Sequence, residues 1–211
     1  MKNNKSKSGM IICVAAIAGF AAIFYFVSSG NACLFDDVIR EFFYDLRDPA
    51  LTPFVKLITY LGNYQTIVIL CLVLLIIKPL RVVYGISVST GAVFVTVLNK
   101  SIKHAVHRPR PSDVMHLVNE GGFSFPSGHS ITSMFVYGLL IYLVRKNVKN
   151  RKIADLLTIV LAVPLILIGP SRIYLGVHYP TDVLAGWCLG AAVVVIWIKL
   201  IRKFYEERKQ I

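Results

Sequence analysis

Three short stretches hold most of the side chains in this chain that could do chemistry: KHAVHRPRP (103–111), FPSGHS (125–130) and SRIYLGVHYPTD (171–182). Together they supply Lys103, Arg108, Arg110, Ser127, His129, Arg172, His178 and Asp182, and each of these suits phosphoryl transfer. Lys103 and Arg110 stand seven residues apart, about two helical turns, so they share a face if the helix runs that far. Pro109 and Pro111 argue against continuation past His107. Arg172 adds a third cation from a separate stretch. Cations gathered round one point make an anion site, and guanidinium forks match phosphate oxygens. Pro126–Ser127–Gly128 reads as a helix start, whose free N–H groups and positive dipole end favour phosphate. Gly128 lets an oxyanion approach the backbone closely.

His178 precedes Asp182 by four residues, with Pro180 opening a helix between them. A carboxylate accepting from one ring nitrogen fixes the tautomer and leaves the other nitrogen free to attack phosphorus. His129 follows Ser127 and Gly128 and can protonate a leaving oxygen, a contribution of about 10²–10⁴-fold. On residue types alone the two histidines can exchange these roles. No carboxylate cluster is available for Mg²⁺, so neither a metal nor a cofactor is expected; cationic side chains would stabilise the transition-state charge. A blander reading stands beside this one, because Lys103, Arg108 and Arg110 taken alone suit lipid headgroups. His104, His107 and His116 read as structural. Asn63 and Gln65 read as hydrogen-bonding a neighbouring helix rather than lining a pocket, and GWCLG (186–190) reads as helix packing.

The elements that must position these groups are long apolar runs. The 211 residues are 56% hydrophobic and only 16% charged, with mean hydropathy +0.66, too apolar for an ordinary soluble domain. We expect an all-α integral membrane protein with six transmembrane helices in a bundle. The spans are Met10–Val27, a second within Phe54–Ile77, Val82–Leu98, Ser127–Val144, Leu156–Ile168 and Val183–Ile198. The first run follows a basic MKNNKSK but exceeds the ~7–15 apolar residues of a signal peptide, so it reads as an uncleaved span. Between the first two spans, LFDDVIREFFYDL places Leu34, Val38, Phe42 and Leu46 at near-helical spacing, which suits an amphipathic interfacial helix.

The net charge of +12 is explained by topology. Lys2, Lys5 and Lys7, then Lys78 and Arg81, then Arg145, Lys146, Lys149, Arg151 and Lys152, then Lys199, Arg202, Lys203, Arg208 and Lys209 all fall on one side of a six-span frame. The positive-inside rule makes that side, with both termini, cytoplasmic. The three reactive stretches then face outside, and no basic–aromatic pattern suggests a nucleic-acid partner. Cys13, Cys33, Cys71 and Cys188 form no CxxC pair and read as small hydrophobes. No linker divides the chain, so one membrane-embedded domain over residues 1–211 is expected, with its catalytic core over about 99–190. No obligate protein partner is evident.

These motifs resemble those of the type 2 phosphatidic acid phosphatase family, the integral-membrane lipid phosphate phosphatases. That family shows Lys-x₆-Arg-Pro, Pro-Ser-Gly-His and Ser-Arg-x₅-His-x₃-Asp. Here they are Lys103 with Arg110–Pro111, Pro126–Ser127–Gly128–His129, and Ser171–Arg172 with His178 and Asp182, in that order. The resemblance covers the third to the sixth span. It implies that His178 is the nucleophile, passing through a phosphohistidine, that Asp182 orients it and that His129 is the general acid. It also implies that Lys103, Arg110, Ser127, Gly128 and Arg172 bind the substrate phosphate. The small size and short loops resemble bacterial members, which include undecaprenyl pyrophosphate phosphatases and phosphatidylglycerophosphatases of the B type.

The expected function is therefore a metal-independent lipid phosphatase of a bacterial plasma membrane. Its partner is a lipid phosphate in the bilayer, either undecaprenyl pyrophosphate or phosphatidylglycerol phosphate. The alternatives are a phosphatase for phosphatidic acid or another lipid phosphate, a lipid phosphotransferase and, from another class, a non-catalytic lipid-binding or transport protein.

Overall fold

Backbone polar groups in lipid must be satisfied internally, and every apolar run of this chain folds as helix. The computed structural model describes residues 2–208, apart from the side chains of residues 2–6, 113 and 204–208. Lys2, Lys5 and Arg208 fall among those side chains, and Lys209 lies outside the described residues altogether. In chain order the helices are α1 (Lys2–Ser28), α2 (Cys33–Asp45), α3 (Leu51–Tyr60), α4 (Tyr64–Ile76), α5 (Lys78–Leu80), α6 (Ser87–Val106), α7 (Gly128–Asn147), α8 (Arg151–Tyr174) and α9 (Pro180–Arg208). A π-helical stretch, Arg81–Ile86, joins α5 to α6, so Lys78–Val106 runs as one helix. Among the described residues there is no β-strand.

Four helices are long and apolar enough to cross a membrane: Lys7–Ser28, Lys78–Val106, Arg151–Tyr174 and Pro180–Lys203. The pair α3 and α4 passes the same test as one broken span, bent by 47°. The protein is an integral membrane protein, with four or five such spans against the six expected. The shortfall is α7, which is long enough at 20 residues but is not among these helices. It is enclosed by α6, α8 and α9, and Ile131, Phe135, Val136, Leu139 and Leu143 lie in the main core. The face of α7 turned to protein carries Ser130, Ser133 and Tyr137, all buried.

The break in the second span lies at residues 61–63. Asn63 is extended (φ −69°, ψ 150°) and caps α4, and a Cβ on Gly62 would lie 2.8 Å from Ile168 Cγ2 and 3.1 Å from His129 Cδ2. The bend therefore presses against α7 and α8. Helix α6 stops where Pro109 argued it would: His107 adopts a left-handed cap (φ 54°). Arg110 consequently sits in a loop and not on the helical face of Lys103. The GWCLG glycines pack α9 onto α7: a Cβ would lie 2.9 Å from Ser127 O at Gly186 and 2.8 Å from Ile131 O at Gly190.

Helix α2 is amphipathic, but its apolar face is not the buried one. Leu34, Val38, Phe42 and Leu46 are exposed, while Asp36 on the opposite face is fully buried. The side of α2 that meets protein carries Asp36 with Ile39, Arg40, Phe43 and Tyr44, while Asp37, Glu41 and Asp45 are exposed.

Candidate active site

The three stretches converge at one end of the bundle. Residues 171–182 form the hinge between α8 and α9. Helix α8 closes with Leu175 N–H donating to Ser171 O and Gly176 N–H donating to Ile173 O, both at 2.9 Å. Gly176 has φ +79°, and a Cβ there would lie 2.2 Å from Met115 O, so the turn requires glycine. Pro180 then opens α9. This reversal leaves Arg172 in the last turn of α8 and carries His178 and Asp182 to the start of α9, all three buried.

His178 Nδ1 lies 3.3 Å from Asp182 Oδ2 and 3.3 Å from Ser124 Oγ. Arg110 Nη1 lies 3.1 Å from His178 Nε2. Arginine only donates, so Nε2 presents its lone pair and the ring proton resides on Nδ1, toward Asp182. Burial, then the charges of Lys103, Arg110, Arg172 and Arg108, hold the His178 imidazole well below its usual value of 6.5. The ring is therefore neutral, with its lone pair available, at ordinary pH.

Both carboxylate oxygens of Asp182 are bonded. Its Oδ1 accepts from Arg108 Nη1 at 2.7 Å, and its Oδ2 accepts from Tyr179 N–H at 2.9 Å and from Ser124 Oγ–H. Its backbone carbonyl accepts from Ser127 N–H at 3.0 Å, which ties the start of α7 to that of α9.

The remaining expected phosphate ligands surround this pair. Arg110 donates to the carbonyls of Gly121, Gly122 and Val177 besides His178. Burial lowers its pKa, an effect partly offset by Glu120 and Asp182. Arg172 Nη1 donates to Thr59 Oγ1 at 3.0 Å and Nη2 pairs with Glu120, while its Nε is buried without a partner. Lys103 Nζ donates to the carbonyls of Phe123 and Ser124, leaving one of its three N–H bonds. Ser127 caps α7, accepting from Ser130 Oγ at 2.9 Å, so its own hydroxyl proton remains to donate. Gly128 packs on Asn99, with a Cβ position 3.0 Å from the amide nitrogen. His129 Nε2 donates to Asn63 Oδ1 at 2.6 Å and lies within electrostatic reach of Arg172, His178, Arg110 and Lys103.

Several members of this constellation carried no local signal in the sequence. Glu120 joins the two guanidiniums of Arg110 (3.7 Å) and Arg172. Asp36 pairs with Arg108 at 2.6 Å. Ser124 touches both His178 and Asp182. Asn63 does hydrogen-bond a neighbouring helix, and the residue it holds there is His129. Arg108, the headgroup-binding candidate, is instead bound to two carboxylates; burial opposes its charge, but Asp182 and Asp36 outweigh that and raise its pKa.

Residues 80–206 match the PAP2 superfamily. The chain belongs to that superfamily. It is 41% identical over 118 residues to phosphatidylglycerophosphatase B of Bacillus subtilis (strain 168), covering 54% of each chain. It is 32% identical over 133 residues to an undecaprenyl-diphosphatase of Sulfolobus acidocaldarius, covering 60% of this chain and 59% of the relative. A dolichyldiphosphatase 1 of Rhinolophus ferrumequinum is 32% identical over 149 residues, covering 67% and 62%. The matches thus span about half to three fifths of these relatives' lengths. In three dimensions this PAP2 chain superimposes on the transmembrane PAP2-type phosphatidylglycerolphosphate phosphatase from Bacillus subtilis with TM-score 0.80 at 29% identity, covering 92% of this chain and 96% of that one. It shares its fold with Aquifex aeolicus LpxE at TM-score 0.64 and 24% identity, covering 78% and 95%.

Proposed function

We propose that this PAP2 protein is a lipid phosphatase that works through a phosphohistidine without a metal. The observation that carries the reading is the orientation of His178: Nδ1 is directed at Asp182, and the Nε2 lone pair meets Arg110 among the cations. Nε2 of His178 attacks phosphorus as the bond from phosphorus to the lipid oxygen breaks, and His129, entering the step as the imidazolium, gives that oxygen a proton and becomes neutral. Water then attacks the phosphohistidine, the N–P bond breaks, and His129 recovers a proton as inorganic phosphate leaves. Asp182 stabilises the positive charge on the ring in between. Arg110, Arg172, Lys103, the Ser127 hydroxyl and the backbone N–H groups at Gly128 bind the phosphoryl oxygens. For a substrate phosphate to enter and be attacked, Glu120 must release its two arginines and Arg110 must turn from His178 Nε2 to the phosphate.

The relatives point to the substrate class. The Bacillus subtilis enzyme of 41% identity is named for phosphatidylglycerophosphate, and the undecaprenyl- and dolichyldiphosphatases are named for isoprenoid diphosphates. Phosphatidylglycerophosphate is the first substrate to test and an undecaprenyl diphosphate the second.

The architecture that suits this activity is a single membrane domain of six spans, with α7 as the sixth. At 20 residues α7 reaches about 30 Å, one hydrocarbon thickness. Helix α2 lies in the interface, with Leu34, Val38, Phe42 and Leu46 toward lipid. The termini are cytoplasmic and the site opens outside, at a bacterial plasma membrane. In detergent and EDTA the purified protein releases phosphate from phosphatidylglycerophosphate, and alkaline quenching traps labelled phosphate on His178. In the His178→Ala variant kcat falls by on the order of 10³-fold or more. Wild-type turnover in that variant, or bound lipid without phosphate release, leaves a headgroup-binding protein instead.

A further inference from the structure

The buried carboxylate on α2 is not used by the chemistry above, yet it reaches the catalytic pair in two steps. Asp36 Oδ2 accepts from Arg108 Nη2 at 2.6 Å, and Arg108 Nη1 donates to Asp182 Oδ1 at 2.7 Å. The opposite oxygen of Asp182 faces His178 Nδ1 at 3.3 Å. Asp36 is further fixed by Thr181, whose N–H and hydroxyl donate to it at 2.9 and 2.8 Å. Arg108 is clamped as well: Nη1 donates to Thr181 Oγ1 at 2.8 Å, and its guanidinium lies 4.0 Å from the centre of the Tyr179 ring. Asp36 and Asp182 are fully buried, and the Arg108 side chain between them is 14% exposed. The two carboxylates share one guanidinium, which leaves a net single negative charge beside the His178 ring.

We propose that Asp36 and Arg108 are positioning residues for the phosphoryl-transfer step, setting between them how much negative charge Asp182 presents to His178. This rests on the phosphatase reading given above. The two should then act with opposite sign. Removing the Asp36 charge leaves Arg108 to neutralise Asp182 alone, so the ring loses the support it needs on becoming positive in the phosphohistidine. Removing the Arg108 charge leaves two carboxylates unshielded and makes the ring more basic. The other groups facing His178 stay in place in both cases: Lys103 from α6, Arg110 and Ser124 from the loop before α7, His129 from α7, Arg172 from α8, and Tyr179 beside it. Glu120 sits behind Arg110 and Arg172.

The test compares pH profiles of kcat/KM for phosphatidylglycerophosphate in wild type, D36N, R108Q and the D36N/R108Q double variant. In parallel, the His178 ring is titrated by NMR in micelles, its signal assigned by loss in H178Q. D36N moves the acid limb to lower pH and lowers kcat several-fold with KM within about twofold. R108Q moves the limb to higher pH, each shift being about half a unit or more. The double variant, which restores the charge count, returns the limb to near the wild-type position. Unmoved limbs, shifts of the same sign in both single variants, or a double variant that stays displaced overturn the proposal. If R108Q does not fold, because two buried carboxylates have lost their cation, D36N and the double variant decide. If the wild-type protein hydrolyses no lipid phosphate, the phosphatase reading fails, and the NMR titration alone judges the relay.

Discussion

A histidine that must attack phosphorus is useful only while it is neutral. Burial and four nearby cations hold His178 below its ordinary pKa, so the ring keeps its lone pair as the pH falls past 6.5. The sign is clear: a depressed pKa moves the loss of nucleophile to lower pH. The kcat/KM profile, which reports the free enzyme, should stay flat through pH 6.5 on its acid side and fall only below it. A limb centred above 6.5 contradicts this account of the site. Asn63 makes a second residue-scale prediction. Its carbonyl accepts from His129 Nε2, so Asn63→Ala should lower kcat by about 10- to 100-fold while leaving KM nearly unchanged, measured by steady-state phosphate release. The sequence disclosed residues whose spacing is local: four positions from His178 to Asp182, or the run Pro126 to His129. It offered Asn63 as a bond to a neighbouring helix without naming the partner, and it was silent on Glu120 and Asp36; these three meet His129, Arg172 and Thr181 over 66, 52 and 145 positions of chain. Spacing carries no trace of such pairings.

At the scale of elements, helix ends matter more than helix middles. The Pro109 signal ended α6 where it should, and Pro180 opened α9. The break between α3 and α4 was read through as one span, although Gly62, Asn63, Gln65 and Thr66 interrupt its apolar run; the bend itself follows from what presses on Gly62. The apolar repeat of α2 was legible, but which face meets protein was not; in lipid the usual inside-out rule loses its force. The contact of α9 on α7 gives a direct test. A side chain at Gly186 would push on Ser127 O and the Ser130 Cβ, each under 3.0 Å from an added Cβ. Gly186→Val should therefore lower stability by about 1–3 kcal/mol and weaken inhibition by orthovanadate, a phosphate mimic. Gly138→Ala, where the nearest atom lies at 3.5 Å, should leave both thermal unfolding and inhibition as they were.

For the whole molecule the proposed orientation has a simple readout. Cys33 is exposed at the start of α2, while Cys13 is buried and Cys71 and Cys188 are half-buried in helices. In intact cells a membrane-impermeant maleimide should label Cys33. A cysteine placed by Lys149→Cys, in the loop between α7 and α8, should react only after the cells are opened. The reverse pattern places the site inside. The six apolar runs could be read from composition, yet the long helix that is not among the apolar membrane-crossing helices is the one that α6, α8 and α9 surround.

That enclosure bears on how the protein is made. Insertion machinery judges a segment by its own transfer free energy, and α7 opens on Gly128, His129, Ser130, Thr132 and Ser133, which its neighbours shelter in the folded protein. Helix α7 emerges from the ribosome before α8 and α9, so at first only α6 of its three enclosing neighbours is there to shelter it. Glycosylation reporters on chains cut after residue 150 should find α7 poorly inserted, and on chains carrying α9 should find it inserted. The membrane is then never exposed to half a site: the helix bearing His129 settles only when the helix that completes the histidine pair is already there.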